Sequence, residues 1–437
     1  MSLSRFLKVT LLLTCNLFLT CNLQAQNIVN LTVEEALNSA VANFQQLKVS
    51  QKNITLNKQQ KSVFNLNVYP TLTLNATASY IGDVEILDEN FSNVMTQEMP
   101  HFGNSFTLQA TQLIYRGGLL KKHNTAYDIK NDIAELAQRN NEQAAKHIIL
   151  GLLLDGVKYK QNIEIYNQNI ELAQNRVQQA NEAFAKNKIS QNEVVRAELI
   201  VKKMQQGLVT VQNNKKIVDY NLATLLSYPE DTQFNLILDQ AIIPQSQEQL
   251  LQTAYNNHPQ LAKNKKEQEL VAQNIKITQA DYLPTLGAFG GYNMLRPITT
   301  RTPAMDMYSN AWQAGLSFSY NIDNIYKIGR KVKVEKIQKE QLAEANQELV
   351  QKIKINVNSG YVKYQEAQQQ EQLKQESKDL AVNNYNITAQ NFLTQKGLLF
   401  EITDASNQKL DTEIQYSNAT INTIYQYYHL IYTTGTL

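Results

Sequence analysis

The stretch Tyr69-Pro70-Thr71-Leu72-Thr73-Leu74-Asn75-Ala76-Thr77-Ala78-Ser79-Tyr80 alternates without a miss. Leu72, Leu74, Ala76, Ala78 and Tyr80 fall on one face, and Thr71, Thr73, Asn75, Thr77 and Ser79 on the other. A period of two predicts a β-strand. Three more segments repeat the pattern. Phe106, Leu108 and Ala110 alternate with Thr107, Gln109 and Thr111. Leu286, Ala288, Gly290 and Tyr292 alternate with Thr285, Gly287 and Gly291. Trp312, Ala314, Leu316, Phe318 and Tyr320 alternate with Gln313, Gly315, Ser317 and Ser319. All four are uncharged, apolar on one face, small and polar on the other, with aromatic residues gathered near their ends. A strand tilted through lipid, about ten residues long with hydrocarbon outside and water inside, needs this composition. A soluble four-stranded sheet over a core would use the same alternation. Four strands cannot close a membrane barrel, since the smallest have about eight. An open edge is excluded from hydrocarbon, so insertion requires several chains to share one barrel.

Outward from the strands, the chain is duplicated. At a shift of 214, Val33–Leu72 and Gln247–Leu286 align without a gap and share twelve of forty residues, among them Glu34/Glu248, Leu37/Leu251, Gln46/Gln260 and Pro70-Thr71-Leu72/Pro284-Thr285-Leu286. A repeat of this length is a duplicated half-molecule rather than a solenoid unit. Each half opens with a helical stretch, Val33–Val68 or Gln247–Tyr282, that stops before Pro70 or Pro284, because the residue before proline is biased away from the α region. Two strands follow, separated by a polar loop. The expected organisation is a leader over 1–25, repeat 1 over 26–228, a linking segment over 229–246 and repeat 2 over 247–437.

The remaining segments read as long helices. No proline interrupts Gly118–Lys186, a span that would reach about 100 Å as one helix. Leu152, Gly156, Tyr159, Ile163, Tyr166, Ile170, Ala173, Val177, Ala180 and Phe184 step along it by alternating fours and threes. Val194, Ala197, Val201, Met204, Leu208, Val211, Lys215, Val218, Leu222 and Leu225 answer them, with Lys215 the one charged exception. This predicts an antiparallel two-helix coiled coil turning at Asn187–Asn192. Repeat 2 follows the same plan less cleanly, with Leu410, Ile414, Ile421, Ile424 and Tyr428 on its last helix. Ten of the 21 residues in Gln161–Asn181 are Asn or Gln, a flank suited either to a wide, neutral, water-filled surface or to packing against neighbouring helices.

Composition narrows the function. The 437 residues hold 41 Lys and Arg against 39 Asp and Glu. The first residues read as a secretory leader, with a basic start at Arg5 and Lys8, an apolar run from Val9 to Leu19 and a small residue, Ala25, before Gln26. Its removal leaves 39 charges of each sign, so electrostatics give no case for nucleic acid as a partner. Lipidation at Cys21 is the alternative to cleavage after Ala25. Cys15 and Cys21, the only cysteines, lie in the leader, which leaves the mature chain no disulfide, thiol nucleophile or thiolate metal site. No later run of about 18 apolar residues offers a spanning helix.

Catalytic motifs do not emerge. His101, His123, His147, His258 and His429 lack metal-ligand spacing, and no phosphate-binding glycine loop is present. Met95, Met99 and His101 gather in the first loop, where a Met-rich loop is a better account than a soft-metal site. The chain reads as no enzyme, with no cofactor. Two basic clusters follow strands: Arg116, Lys121 and Lys122 after the second, and Lys327, Arg330, Lys331, Lys333, Lys336 and Lys339 after the fourth. A solvated helix face explains such runs. Their shared place at a strand-to-helix junction also suits anionic lipid headgroups.

The order of elements, repeated twice after a leader, resembles the TolC-like outer-membrane efflux protein family. Thr32-Val33-Glu34-Glu35-Ala36-Leu37, Tyr69-Pro70-Thr71-Leu72, Leu283-Pro284-Thr285-Leu286, and Lys396-Gly397-Leu398 with Asp404-Ala405 carry the resemblance. It implies a mainly α fold with membrane β, in which a coiled-coil helical barrel is joined to four strands per chain of a shared twelve-stranded trimeric β-barrel. It further implies a homotrimer in the outer membrane of a Gram-negative bacterium, with a large periplasmic part. A periplasmic adaptor (membrane fusion protein) and an inner-membrane transporter are the implied partners. The helical turns would meet the adaptor, through Lys188, Ile189 and Ser190 at the first and Gly397, Leu398 and Leu399 at the second. The first turn lacks the family's glycine. Glu401 and Asp404 open the last helix on one face and would, tripled, ring the pore with carboxylates. Acids in a first turn also complement the helix dipole. The segment Pro229–Pro244 would belong to an equatorial belt. The expected function is a passive exit duct of a tripartite efflux or type I secretion system. A periplasmic coiled-coil scaffold and a stand-alone diffusion pore are the alternatives. No residue selects drugs, metals, siderophores or polypeptides as cargo.

Overall fold

The computed structural model describes residues 28–238, 245–301, 303–394 and 398–437. The leader with Cys15 and Cys21, the centre of the linking segment and Gly397 lie outside the described residues. The chain divides into two compact units, each drawing on both sequence halves. One, the helical unit, gathers residues up to Leu47, Glu142–Leu250 and Asn356–Leu437; the other, the sheet unit, gathers Lys48–Asn141 and Leu251–Ile355.

Strand β1 (Ile28–Thr32) leads into α1 (Val33–Asn43). A capping box starts this helix, with the Glu35 amide donating to Thr32 Oγ1 (3.2 Å) and the Thr32 amide to Glu35 Oε2 (2.9 Å). That arrangement satisfies two donors that the first turn would otherwise leave without partners. Helix α2 (Gln45–Asn65) follows, closed by a single 3-10 turn over Leu66–Val68. The sequence predicts one helical stretch here, but Phe44 takes extended backbone (ψ 118°) and its side chain is buried. The second half breaks at the corresponding position. Helix α5 (Gln247–Asn257) stops at His258 (ψ 117°), and α6 (Pro259–Ala280) begins with proline. Pro259 excludes α backbone at His258; at Phe44 no proline follows, and burial of the ring is the observable anchor.

In the sheet unit, strands β2 (Thr71–Tyr80), β5 (Phe102–Arg116), β7 (Thr285–Arg296) and β8 (Ser309–Ser319) form one antiparallel sheet in the order β2-β5-β7-β8. The alternation is realised residue for residue, although β5 and β7 run to 15 and 12 residues and end in Arg116 and Arg296. The polar loop of the first half contains a hairpin, β3 (Val84–Leu87) with β4 (Asn93–Gln97), which takes up Met95 opposite Ile86.

Helix α3 (Leu119–Ala185) turns into α4 (Gln191–Leu226). The turn is shorter than the expected Asn187–Asn192, because Ser190 already occupies the cap position. Asn187 adopts a left-handed conformation (φ 54°), with its amide donating to the Phe184 carbonyl (2.8 Å) and that of Lys188 to Ala183 (2.9 Å). This is a Schellman end, for which asparagine substitutes for glycine. Buried Ile170, Ala173, Val201 and Met204 form one segment of the seam, and Ala180, Val194 and Ala197 another. Phe184, expected in the seam, is 41% exposed. Gly207 admits the ring of Tyr166, since an added Cβ would stand 2.5 Å from its hydroxyl oxygen. Strand β6 (Gln233–Ile237) lies in the linking segment and pairs in parallel with β1; neither strand is expected from the sequence.

Lys215, the charged exception, has a structural task. Its Nζ lies 2.6 Å from both carboxylate oxygens of Asp219 and 3.3 Å from the Phe234 carbonyl, while the Phe234 amide donates to Asp219 (3.3 Å). The pair clamps β6 to α4. The core of this unit combines α1, α3, α4 and β6 with the last helix, α8 (Leu399–Thr434), through Val33, Ile149, Leu153, Leu222, Phe234 and Ile421 among others. The other long helix of the second half, α7 (Asn324–Leu393), contributes residues to both units. None of the described helices is long and apolar enough to cross a membrane.

Candidate functional site

The sheet's register sorts its side chains into two unlike faces. Directly opposed residues share a face, so Leu74, Leu108, Tyr292 and Trp312 form an apolar row across all four strands. Leu72, Ala110, Gly290 and Ala314 form the next row. The reverse face carries Thr73, Gln109, Gly291 and Gln313, and beside them Asn75, Thr107, Asn293 and Ala311. Thr107 donates to Asn293 (3.1 Å), and the hydroxyls of Thr77 and Ser105 meet at 2.8 Å. One aromatic breaks the polar face: Phe289 lies over Gly315, where a Cβ would come within 3.0 Å of its ring.

Nothing within the chain covers the apolar face among the described residues. Leu74 is 72% exposed, Trp312 79% and Leu316 77%. Neither β2 nor β8 has a second neighbour there. A sheet charged only at its ends, by Arg116 and Arg296, with a bare apolar face and two open edges is a liability in water. Chemically it is fitted to contact hydrocarbon on one side, line water on the other, and pair edge to edge with further copies.

Both basic clusters stand at one end of this sheet, because Arg116 pairs with Thr285, which pairs with Ser319. Arg116 is engaged with Asp281 (3.0 Å). Lys121, Arg330, Lys331 and Lys333 are exposed and Lys122 half-buried, and Lys327 pairs with Asp323. At the opposite end Arg296 holds Asp306 with two bonds (2.7 and 2.8 Å).

At the first helical turn Lys188 and Ser190 are exposed, while Ile189 packs against Ala180, Val194 and Ala197. The Ser190 amide donates to Glu193 Oε2 (3.0 Å). At the second turn Leu398 is 66% exposed and its amide donates to Glu401 Oε2 (3.0 Å). Leu399 opens α8. Glu401 therefore holds its own helix end, as Glu193 does at the first turn. Asp404 is exposed and accepts from Gln408 (2.7 Å).

Sequence reading misses a buried polar network in the helical unit. Arg176 on α3 donates to the Tyr385 hydroxyl of α7 and its guanidinium lies 4.6 Å from that ring's centroid. Burial pulls the Arg176 pKa down and Tyr385 pushes it back up. Lys409 of α8 reaches Glu413 (2.7 Å) and Asn169 (3.1 Å), and Asn169, buried, donates to Glu413 (2.8 Å). The amide-rich flank of α3 is thus partly buried, with Asn162 donating to Asn418 (2.9 Å) and Gln161 accepting from Ser417 (2.9 Å). The i, i+4 spacing of Lys409 and Glu413 was the available signal, but it gave no hint of the partners on α3. No group of three or more His, Cys, Asp or Glu suited to a metal occurs among the described residues.

Residues 250–435 match the family model described as outer membrane efflux protein. The match falls within the chain's second half. Solved channels share this fold across most of the chain. CusC superposes with a TM-score of 0.74 at 15% identity, over 92% of this chain and 91% of that one. The Campylobacter jejuni CmeC outer membrane channel gives 0.73 at 14%, over 92% and 85%. The open-state Neisseria gonorrhoeae MtrE outer membrane channel gives 0.65 at 15%, over 92% and 88%. At such identities the likeness is one of fold. No curated protein matches the chain. The mainly helical architecture with a few strands is that of TolC-like channels, as the sequence resemblance implies.

Proposed function

We propose that this chain is the passive outer-membrane exit duct of a tripartite efflux or type I secretion system in a Gram-negative bacterium. The observation that carries the reading is the four-stranded sheet, charged only at its ends, with a bare apolar face and two unpaired edges. Three copies joined edge to edge make a twelve-stranded barrel, above the minimum of about eight strands for closure. Closure removes the exposed edges that hydrocarbon forbids. The polar face of Thr, Gln, Asn and Gly then lines water.

In this assembly residues 1–25 are the leader. Repeats 26–228 and 247–437 each supply two strands and a helical pair, and 229–246 joins them in the equatorial belt. The exposed cations among Arg116, Lys121, Lys122, Arg330, Lys331 and Lys333 face anionic headgroups at the periplasmic rim. Lys188, Ile189 and Ser190, with Gly397, Leu398 and Leu399, form the tips that dock the adaptor, and through it the inner-membrane transporter. Glu401 and Asp404 ring the periplasmic entrance with carboxylates, Glu401 while also capping its helix. Energy comes from the partners; the duct hydrolyses nothing.

The test uses a deletion strain complemented with Lys188→Glu and Leu398→Glu variants. Membrane insertion and assembly should match wild type while resistance to exported toxic compounds falls to the deletion level. Normal export from both variants would refute the docking assignment.

A further inference from the structure

His147 on α3 and His429 on α8 face each other with His429 Nδ1 3.0 Å from His147 Nε2, and the channel reading makes no use of them. Aromatic rings hold both in place. His147 stacks on Tyr432 with centroids 4.4 Å apart and planes 17° from parallel, and His429 stacks on Tyr425 at 6.0 Å and 14°. A groove of about 690 Å³ opens beside the pair, running from His147 past Asp155 and Asn162 to Asn418 and Tyr425. Water and small ions therefore reach the His147 imidazole, which lines the groove.

Two imidazole nitrogens bound to one tetrahedral dication at about 2.0–2.1 Å stand roughly 3.3 Å apart. The observed pair needs to open by only about 0.3 Å to accept such an ion. Burial and the facing His429 push His147 down to about 4, and burial lowers His429 as well. With both rings neutral, the single proton between them can move to an outer ring nitrogen, which frees two lone pairs without net proton release. Neighbouring charges are engaged elsewhere: Lys146 donates to the Leu437 carbonyl oxygen (2.9 Å), and Asp155 pairs with Lys158.

We propose that His147 and His429 form a two-histidine half-site for a borderline transition-metal dication of the Zn²⁺ class, with water from the groove completing the coordination. The site lies outside the barrel strands and the helical turns, so it stands or falls independently of the exit-duct reading.

The experiment titrates the untagged full chain in detergent with ZnCl₂ by calorimetry at pH 7.0. One ion per chain should bind saturably. His147→Phe and His429→Asn should each weaken binding by about tenfold or more while particle mass and far-UV circular dichroism stay at wild type. A second readout does not depend on the variants: Cu²⁺ bound to wild type should show an electron paramagnetic resonance pattern of two coordinated imidazole nitrogens. No saturable uptake, uptake that survives both substitutions, or a Cu²⁺ spectrum without imidazole nitrogen would overturn the proposal.

Discussion

Replacing Lys215 by Met should loosen β6 from α4 without disturbing the rest of the helical unit. The Lys215 and Asp219 side chains are only 14% and 11% exposed. Losing the ammonium group leaves the Asp219 carboxylate with the Phe234 amide as its remaining protein partner at 3.3 Å. Breaking one side of a buried pair costs about 3–5 kcal/mol; residual water contact brings the figure here to about 2–4 kcal/mol. Opening of β6 should become roughly 30- to 1,000-fold more frequent, at about 1.4 kcal/mol per tenfold. Hydrogen exchange of a peptide covering Gln233–Ile237, read by mass spectrometry, measures this directly. The double replacement Lys215→Met with Asp219→Leu should recover most of the protection, since an apolar pair of similar volume can replace a buried ion pair at little cost. Wild-type exchange rates in Lys215→Met, or a double variant no better than the single, would refute the clamp.

Gly207→Ala should lower the thermal midpoint, because its Cβ would meet the Tyr166 ring within 2.7 Å and overpacking costs about 1–3 kcal/mol; Tyr166→Leu in the same chain should restore it. Trp312→Arg on the bare sheet face should block membrane insertion, at about 2–4 kcal/mol per midplane cation, whereas Thr73→Arg on the polar face should insert normally; membrane flotation distinguishes them. Tyr385→Phe should cost about 1–3 kcal/mol by removing the hydroxyl partner of the buried Arg176 while retaining the ring beneath its guanidinium, measured by thermal unfolding with intrinsic fluorescence. Glu401→Gln should be tolerated better than Glu401→Ala, because only the amide keeps an acceptor for the Leu398 N–H; hydrogen exchange at the start of α8 reports the difference.

Much of the sheet was legible because its signal is local. Alternation at Thr71–Tyr80 assigns both the strand and its faces, and the observed register puts Leu74, Leu108, Tyr292 and Trp312 together as that alternation demands. The seam of α3 and α4 was legible for the same reason. What escaped reading depends on partners distant in the chain. Strands β1 and β6 are five residues each and acquire meaning only through a parallel pairing across some 200 residues. Lys215 looked like a flaw in a heptad until β6 arrived to accept its bond. Pro259 could have announced the break at His258, but the duplicated helix carries no proline after Phe44, and the alignment hid one behind the other. At the helical turns, the capping roles of Glu193 and Glu401 follow from their spacing after Ser190 and Leu398, while the network around Arg176 needed three helices in place.

The central claim is that copies of this chain complete one another's sheet in a membrane. Size exclusion with light scattering, on protein extracted in detergent from the outer-membrane fraction, tests it most directly. The account predicts three chains per particle, with protein absent from the soluble fraction. A monomer or dimer recovered in buffer without detergent would contradict it and leave a soluble coiled-coil scaffold in its place.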